Sequence, residues 1–463
     1  MYVNQPLAEE QEKLFWSDAK NNAKERLVVS FVGPLSTGKS SAVGHLIEQT
    51  GVLNTCFQKI QNFADSIGKS SHRYAFVCDS TKNEQERGLT VTAVRRQFLS
   101  NKYNLTLIAT PGHRYYQKNM IRAAFLADVC ALVVTVDLIE FKKNYNQTKF
   151  YIAMMRAMGA KQIIVLVNKM DLCDYQEQNF LEIVRRLMKY LRATSWSPEN
   201  IQFLPISALE GVNLLFKAEK MPWYHGPTLS EAFDNLKAPI RMIDKPLRIP
   251  VTQLFRIGGV GTVVSGKIES GTLKKGMTLV CVSQRHNRLP PNNLVQSIES
   301  HHIKKDSATA GDIVGIHLRG VPLRDLAIGD VLGDPTDSPP FLTANFIAEV
   351  IILKPAPERI RVGYGPVMSY HTSKVACSWK KLYSRKRKNS NDELMNPEFL
   401  ERGDRAVVEI EAERPVCVDT FENFPSLGRI FMRDHHDVVA VGIIKQVDTS
   451  SGRLTKGISQ PRV

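Results

Sequence analysis

Between Gly33 and Ser41 the chain reads GPLSTGKSS, which satisfies G-x-x-x-x-G-K-[ST]. This spacing suits phosphate chemistry. Gly33 and Gly38 let the backbone curl until its N–H groups face an anion, Lys39 adds a point charge for β- and γ-phosphates, and the Ser40 hydroxyl can ligate Mg²⁺. Ser36, Thr37 and Ser41 complete the candidate cradle. A phosphate loop does not choose the base. That choice falls to VLVNKMD, where Asn168, Lys169 and Asp171 follow an apolar run. A carboxylate at Asp171 accepts two hydrogen bonds from the N1–H and exocyclic amine of guanine, a donor pair adenine lacks, and the Lys169 stem can lie along the base plane. One run later Ser207, Ala208 and Leu209 of ISAL would bring a backbone N–H to the guanine carbonyl oxygen. The three motifs in this order, each ending an apolar run, predict GTP or GDP with Mg²⁺ as the ligand.

These residues need rigid elements to hold them. The runs RLVVSFVG, NLTLIAT, CALVVTVD, IIVLVNK and FLPIS are nearly continuous Val, Ile and Leu, as in buried strands of a parallel sheet. Between them YQKNMIRAAFLA, QTKFYIAMMRAMGA and QNFLEIVRRLMKYLR carry helical spacing. The alternation predicts a doubly wound α/β domain over residues 26–240, with the cradle at a helix N-terminus. Residues 1–25 form a polar, mixed-charge extension. After Pro239, Pro246 and Pro250 the helical period fades and Gly-punctuated strand-length runs take over. They predict one antiparallel β-barrel over 246–336 and, beyond the break LGDPTDSPPF, a second over 342–450, followed by a tail at 451–463.

Composition sets the class. The 463 residues are 43% apolar and 23% charged, as in soluble globular proteins, and the length favours several domains. The best apolar run, DVCALVVTVDLI, is too short for a bilayer and is interrupted by Asp137. The N-terminus has no apolar secretory segment, so a cytoplasmic location is expected. The seven cysteines include no Cys-x-x-Cys pair and are read as free thiols, neither a disulfide framework nor a zinc site. A net charge of +15 points to a polyanionic partner such as nucleic acid. The basic run WKKLYSRKRKN from Trp379 to Asn389 reads equally as an RNA-facing patch or a solvated loop.

Further phrases carry a resemblance. ERGLTV, TPGHRYYQKNMI, VNKMD, FLPISALEG, MPWYHG, PLRIPV, IGGVGTVVSGKIESG, GYGPVMSYHTSKVACSW and FPSLGRIFMRDHHDVVAVGIIK together make residues 26–448 similar to the translational GTPases, notably the elongation factor 1-alpha family. The resemblance implies a P-loop GTPase domain followed by two β-barrels. It implies that Thr90 reaches Mg²⁺ and the γ-phosphate, that His113 orients the attacking water, and that Leu35 and Leu89 gate that histidine. By the same likeness Lys118, Asn119 and Arg319 contact aminoacyl-tRNA, and Glu299 lies beside its terminal adenosine. The implied partners are aminoacyl-tRNA, the ribosome and a guanine-nucleotide exchange factor, with no membrane, and a monomer is expected. A basic chain suits a tRNA partner, because neutralising phosphates releases counterions and duplex RNA is read by shape.

The chain departs from that family around the metal and the water. Ala109 stands where the family has the aspartate opening D-[AT]-P-G-H, and Pro34 and Ser36 replace the His and Asp of its cradle. Ser40, Thr90 and Lys39 remain, so nucleotide binding with weaker metal affinity is expected. Hydrolysis depends more on placed charge, and losing one such group costs on the order of 10²–10³ in rate. Three readings stay open: an elongation factor delivering aminoacyl-tRNA, a GTP-binding paralogue with weak turnover that regulates ribosomes or RNA, and a termination or rescue GTPase. The third usually carries a long segment before the GTPase domain, where about 25 residues are expected here.

Overall fold

A computed structural model describes residues 24–448 except Ser80, Ser195, 283–292, 301–302, Pro355, 388–391 and His436. Most of the N-terminal extension, the tail and the Lys388–Asn389 end of the basic run lie outside the described residues. The chain divides into two units, residues 1–240 with 301–303, and residues 241–300 with 304–463.

The first unit runs β1 (Glu25–Val32), α1 (Lys39–Gln49), α2 (Asn54–Ser66), α3 (Lys82–Arg87), β2 (Val94–Leu99), β3 (Tyr103–Ala109), α4 (Gln117–Phe125), β4 (Val129–Thr135), α5 (Leu138–Ala157), β5 (Ile163–Asn168), α6 (Glu177–Ala193), β6 (Ile201–Pro205) and α7 (Leu229–Asp234). Strand order is β2-β3-β1-β4-β5-β6. From β1 the chain pairs to β3 on one side and β4 on the other, so the loop after β1 opens at the topological switch point, where α/β sheets bind ligands. The sheet is mixed, not all-parallel, because β2 runs antiparallel to β3 as an edge strand. Its sequence, VRRQFL, hides this: two arginines break the apolar run, and the buried Arg96 guanidinium donates to the Val77 carbonyl. The helices follow their local signals. Asp137 caps α5 by accepting from Ile139 and Glu140 N–H, and α6 buries Phe180, Ile183, Leu187 and Leu191, a single face at helical spacing.

The second unit holds two closed barrels. The first comprises β7 (Ile249–Ile257), β8 (Gly261–Lys267), β10 (Thr278–Val282), β11 (Asn293–Ser300), β14 (Ile313–Arg319) and β15 (Val331–Gly333), closed by pairing of β10 with β11. The second comprises β16 (Thr343–Ile352), β17 (Val367–Tyr370), β18 (Ser373–Lys386), β20 (Arg405–Val416), β21 (Arg429–Asp434) and β22 (Asp437–Val447), closed by β17 with β18. The short strands β9 (Thr272–Lys274) and β13 (Ser307–Thr309) pair with each other, while β12 (Ile303–Lys305) and β19 (Glu393–Met395) extend the barrels. The barrels are joined by a small apolar cluster of Val282, Val331, Leu342, Cys417, Phe424 and Leu427, and by the Thr372 hydroxyl, which donates to the Val251 carbonyl at 2.8 Å.

Candidate nucleotide site

The loop from β1 into α1 has the cradle's backbone. Gly38 sits at φ +88°, and a Cβ there would come within 2.2 Å of Asn168 Nδ2, so both conformation and space require glycine. Ser36 is also left-handed, at φ 60°. Thr37 Oγ1 and Lys39 Nζ both donate to the Pro34 carbonyl, at 3.0 and 2.6 Å. Burial pulls the Lys39 ammonium down to about 7, against the opposing pull of Asp79. A buried cation at the start of a helix with no side-chain cap is costly alone and favourable beside an anion.

Thr90 reaches this loop through its own segment. Glu84, almost wholly buried, accepts from Val91 N and Thr92 N at 2.9 Å with one carboxylate oxygen, and from Thr81 N and Thr81 Oγ1 at 3.1 and 2.7 Å with the other. From the opposite side Asn119 Nδ2 donates to the Val91 carbonyl at 3.0 Å. The folded-back segment brings Thr90 Oγ1 to 2.8 Å from Ser40 Oγ, and Thr90 Oγ1 donates to Asp79 Oδ1 at 2.7 Å. Asp79 is buried, and burial raises its carboxyl to about 7. Two hydroxyls and a carboxylate therefore meet beside Lys39, a hard-oxygen set that fits Mg²⁺. Sequence reasoning missed Asp79 and Glu84; a carboxylate closing the apolar run YAFVCD eleven residues before Thr90 was the available signal. Ala109 is fully buried, belongs to the hydrophobic core, and pairs with Phe31 and Val94.

The base end is built from the loops after β5 and β6. Asn168 uses both ends of its amide on the protein: Nδ2 donates to the Thr37 carbonyl at 2.7 Å, and Oδ1 accepts from Ala208 N at 2.8 Å. It thus ties the cradle to the third motif, whose Ala208 N–H is turned to Asn168. Lys169, left-handed at φ 69°, sends its ammonium to Glu140 at 2.9 Å. Ser207 Oγ donates to Asp171 Oδ1 at 2.5 Å and fixes that carboxylate. His45, stacked on Tyr74, donates from Nδ1 to the Ala208 carbonyl at 2.8 Å.

A single cavity of about 420 Å³ connects the two ends. It is lined by Leu35, Ser36, Gly38, Lys39, Ser40, Ser41, Asp79, Leu89, Thr90 and Gly112 at one end and Asn168, Lys169, Asp171, Ala208 and Leu209 at the other. Gly33, Thr37 and Ser207 stand behind the lining. Gly112 lies so close that a Cβ would be 2.5 Å from Lys39 Nζ, and its carbonyl accepts from Gln147 Nε2 at 2.8 Å. His113 does not line the cavity: its Nδ1 accepts from Tyr115 N at 3.3 Å and its ring lies against Tyr115. Leu35 and Leu89 do line it. Lys118 and Asn119 share the first turn of α4, Lys118 exposed and Asn119 engaged with Val91. Glu299 and Arg319 are both exposed on the paired strands β11 and β14 but face Gly315 and Leu294 respectively, so about 13 Å of strand separates them.

Residues 24–248 match the Elongation factor Tu GTP binding domain family, residues 261–333 Elongation factor Tu domain 2, and residues 345–445 the GTP-eEF1A C-terminal domain-like family. Elongation factor 1-alpha of Saccharolobus solfataricus is 39% identical over 433 residues, 92% of this chain and 98% of that one. Elongation factor 1-alpha 2 of Euplotes crassus is 37% identical over 429 residues, 92% of this chain and 96% of that one. The crystal structure of the S. cerevisiae Ski7 GTPase-like domain bound to GTP superposes with a TM-score of 0.73 at 19% identity, covering 92% of this chain and 99% of that one, a likeness of fold. Kinship at this level along nearly the whole length makes the chain a member of the elongation factor 1-alpha family of translational GTPases.

Proposed function

We propose that the protein carries aminoacyl-tRNA to the ribosomal A site as a GTP-bound complex and hydrolyses the nucleotide once the codon is recognised. The observation that carries this is the convergence of Ser40, Thr90 and Lys39 at one end of a cavity whose other end is the Ser207–Asp171 pair. In a member of this family, that pairing of a phosphate cradle with a guanine-reading carboxylate supports GTP as the ligand. Asp171, held by Ser207, accepts from guanine; the Lys169 stem lies along the base; Lys39 and the backbone after Gly33 hold the phosphates. Ser40 and Thr90 would hold Mg²⁺, which when bound neutralises charge on the phosphate oxygens. Leu35 and Leu89 shield the phosphate end from bulk water, and His113 must leave its Tyr115 contact to reach a water there. Its outward seat supports a resting state in which turnover awaits the ribosome. Lys118, Arg319 and Glu299 are the proposed tRNA contacts, and Asn119 links that contact region to the Thr90 segment. Kinship alone supports an exchange factor, a monomeric state and a cytoplasmic site of action; among the described residues no helix is long and apolar enough to cross a membrane.

A second reading rests on Ala109, whose burial in the core leaves the strand end without a carboxylate. In it the protein holds GTP and tRNA or ribosome with slow turnover. Filter binding of charged tRNA with GTP and with GDP, together with phosphate release with and without ribosomes, separates the two. GTP-dependent tRNA binding with ribosome-stimulated release supports delivery. Binding without stimulated release supports the second reading, and no GTP-dependent tRNA binding refutes the first.

A further inference from the structure

Resting on the reading of this cavity as a GTP site, we propose that Tyr175 and Glu210 are positioning residues that hold Asp171 in line with the exocyclic amine of guanine. Neither belongs to the three nucleotide motifs, and neither lines the cavity. The contacts run outward from Asp171. The Ser207 hydroxyl donates to Asp171 Oδ1, and its oxygen accepts from Glu210 N at 3.2 Å. The Glu210 carboxylate in turn accepts from the Tyr175 hydroxyl at 2.7 Å and pairs with Lys220. Tyr175 itself follows Asp171 in the loop after β5, so these bonds close a ring between that loop and the one after β6.

An ion pair as exposed as Lys220 and Glu210 contributes little by itself. What sets this one apart is the backbone that carries its tyrosine. Asp174 and Tyr175 are consecutive left-handed residues, at φ 48° and 59°, a conformation that persists without glycine only where surrounding contacts impose it. Those contacts are present: Tyr175 N donates to the Met170 carbonyl at 3.0 Å, and Trp223 Nε1 donates to the Tyr175 carbonyl at 2.8 Å. The turn brings the ring to Lys220, whose Nζ lies 5.3 Å from its centre. Burial, then the bond to Glu210, raises the Tyr175 hydroxyl above its usual range, while Lys220 and then Tyr175 lower the Glu210 carboxyl. Donor and acceptor therefore keep their roles at neutral pH.

Guanine and hypoxanthine share the N1–H, and only guanine adds the exocyclic amine. A carboxylate turned out of line loses a bond to guanine that it never made to hypoxanthine. One hydrogen bond to a charged acceptor corresponds to about tenfold or more in affinity. The brace is thus read in the preference for GDP over inosine diphosphate, a ratio that a general loss of stability leaves alone.

The test measures GDP and inosine diphosphate binding by calorimetry in millimolar Mg²⁺, using the full chain as wild type, Tyr175→Phe, Glu210→Ala and the double variant. The expected result is a GDP preference lowered about three- to tenfold in Tyr175→Phe, by a similar factor in Glu210→Ala, and no further in the double variant. A wild type that binds neither nucleotide, or binds both alike, overturns the reading of the base end itself. A wild type that prefers GDP, with the ratio unchanged in Tyr175→Phe or with both affinities lowered by one factor, overturns the brace and leaves the GTP site standing. Losses that add in the double variant show two independent roles and overturn the ring of contacts. If Tyr175→Phe does not fold by circular dichroism, Glu210→Ala, which alters an exposed side chain, decides by the same ratio.

Discussion

Replacing Glu84 by alanine should free the segment that carries Thr90 without unfolding the domain around it. The carboxylate makes two hydrogen bonds to the loop beyond, from Val91 N and Thr92 N, and two to the helix start, from Thr81 N and Oγ1. Hydrogen bonds to a charged group contribute about 1.5–3 kcal/mol each, which puts the two on the loop at roughly 3–6 kcal/mol. Val91 is half-buried and Thr92 exposed, so both freed N–H groups can turn to water, and the loss should fall near the lower end. About 3 kcal/mol changes the ratio of closed to open loop roughly 150-fold. Native-state hydrogen exchange reads this directly: protection of the Val91 and Thr92 amides should drop on the order of 100-fold, with β1 and β4 unchanged. Glu84→Gln keeps a neutral acceptor for the two loop amides and should lie between wild type and Glu84→Ala. GTP affinity in Mg²⁺ should fall more than GDP affinity, because Thr90 is the group that leaves. Unchanged protection at Val91 and Thr92 in Glu84→Ala would refute the clamp, and equal loss throughout the sheet would show that Glu84 supports the domain and not the loop.

Other perturbations follow from the same geometry. Gly38→Ala must place a methyl group 2.2 Å from Asn168 Nδ2 at φ +88°, so calorimetry should find nucleotide binding lost while the barrels keep their circular dichroism. Ala109→Asp puts a carboxylate into a fully buried apolar position, which should lower the metal-free Tm, with Mg²⁺ and GTP restoring more stability than they give wild type; if the metal holds the new group, ribosome-stimulated hydrolysis should also rise, and identical metal profiles would count against both effects. In the second unit, burial holds the His371 imidazole down to about 4 from 6.5, with its bond to the Cys417 carbonyl opposing. The unfolded chain therefore binds the proton first, so this contribution is whole above pH 6.5 and is lost as pH falls toward 4, about 3 kcal/mol in all and about 2 kcal/mol by pH 5. Urea unfolding at pH 7.5 and pH 5 should show a steeper loss in wild type than in His371→Asn, and parallel losses would contradict the assignment.

Much of the nucleotide site could be read from the chain because its determinants are local. A left-handed glycine before a helix, a lysine and serine at its first turn, and a carboxylate just past a buried strand each follow from a few consecutive residues, and β1, β4 and β5 announced themselves as unbroken apolar runs. β2 did not, since two arginines interrupt its apolar pattern, and the buried one, Arg96, donates to the Val77 carbonyl, a partner nineteen residues away. Asn168 was legible as a motif residue, but not its work of joining the Thr37 carbonyl to the Ala208 amide, which are 131 and 40 residues distant. Asn119 was legible as a candidate tRNA contact, but not the bond from its amide to the Val91 carbonyl, 28 residues away.

The question posed by Ala109 marks the boundary. Sequence by itself determined the candidate phosphate and base motifs at the ends of apolar runs, the succession of an α/β domain and two barrels, and the absence of an acid at the strand end. Tertiary structure decided how Asp79, Thr90 and Ser40 join in one chain of hydrogen bonds under the clamp of Glu84. The reason is physical: an oxygen's value to a cation depends on its position to within fractions of an ångström, and that position is set by contacts between segments the linear order keeps apart.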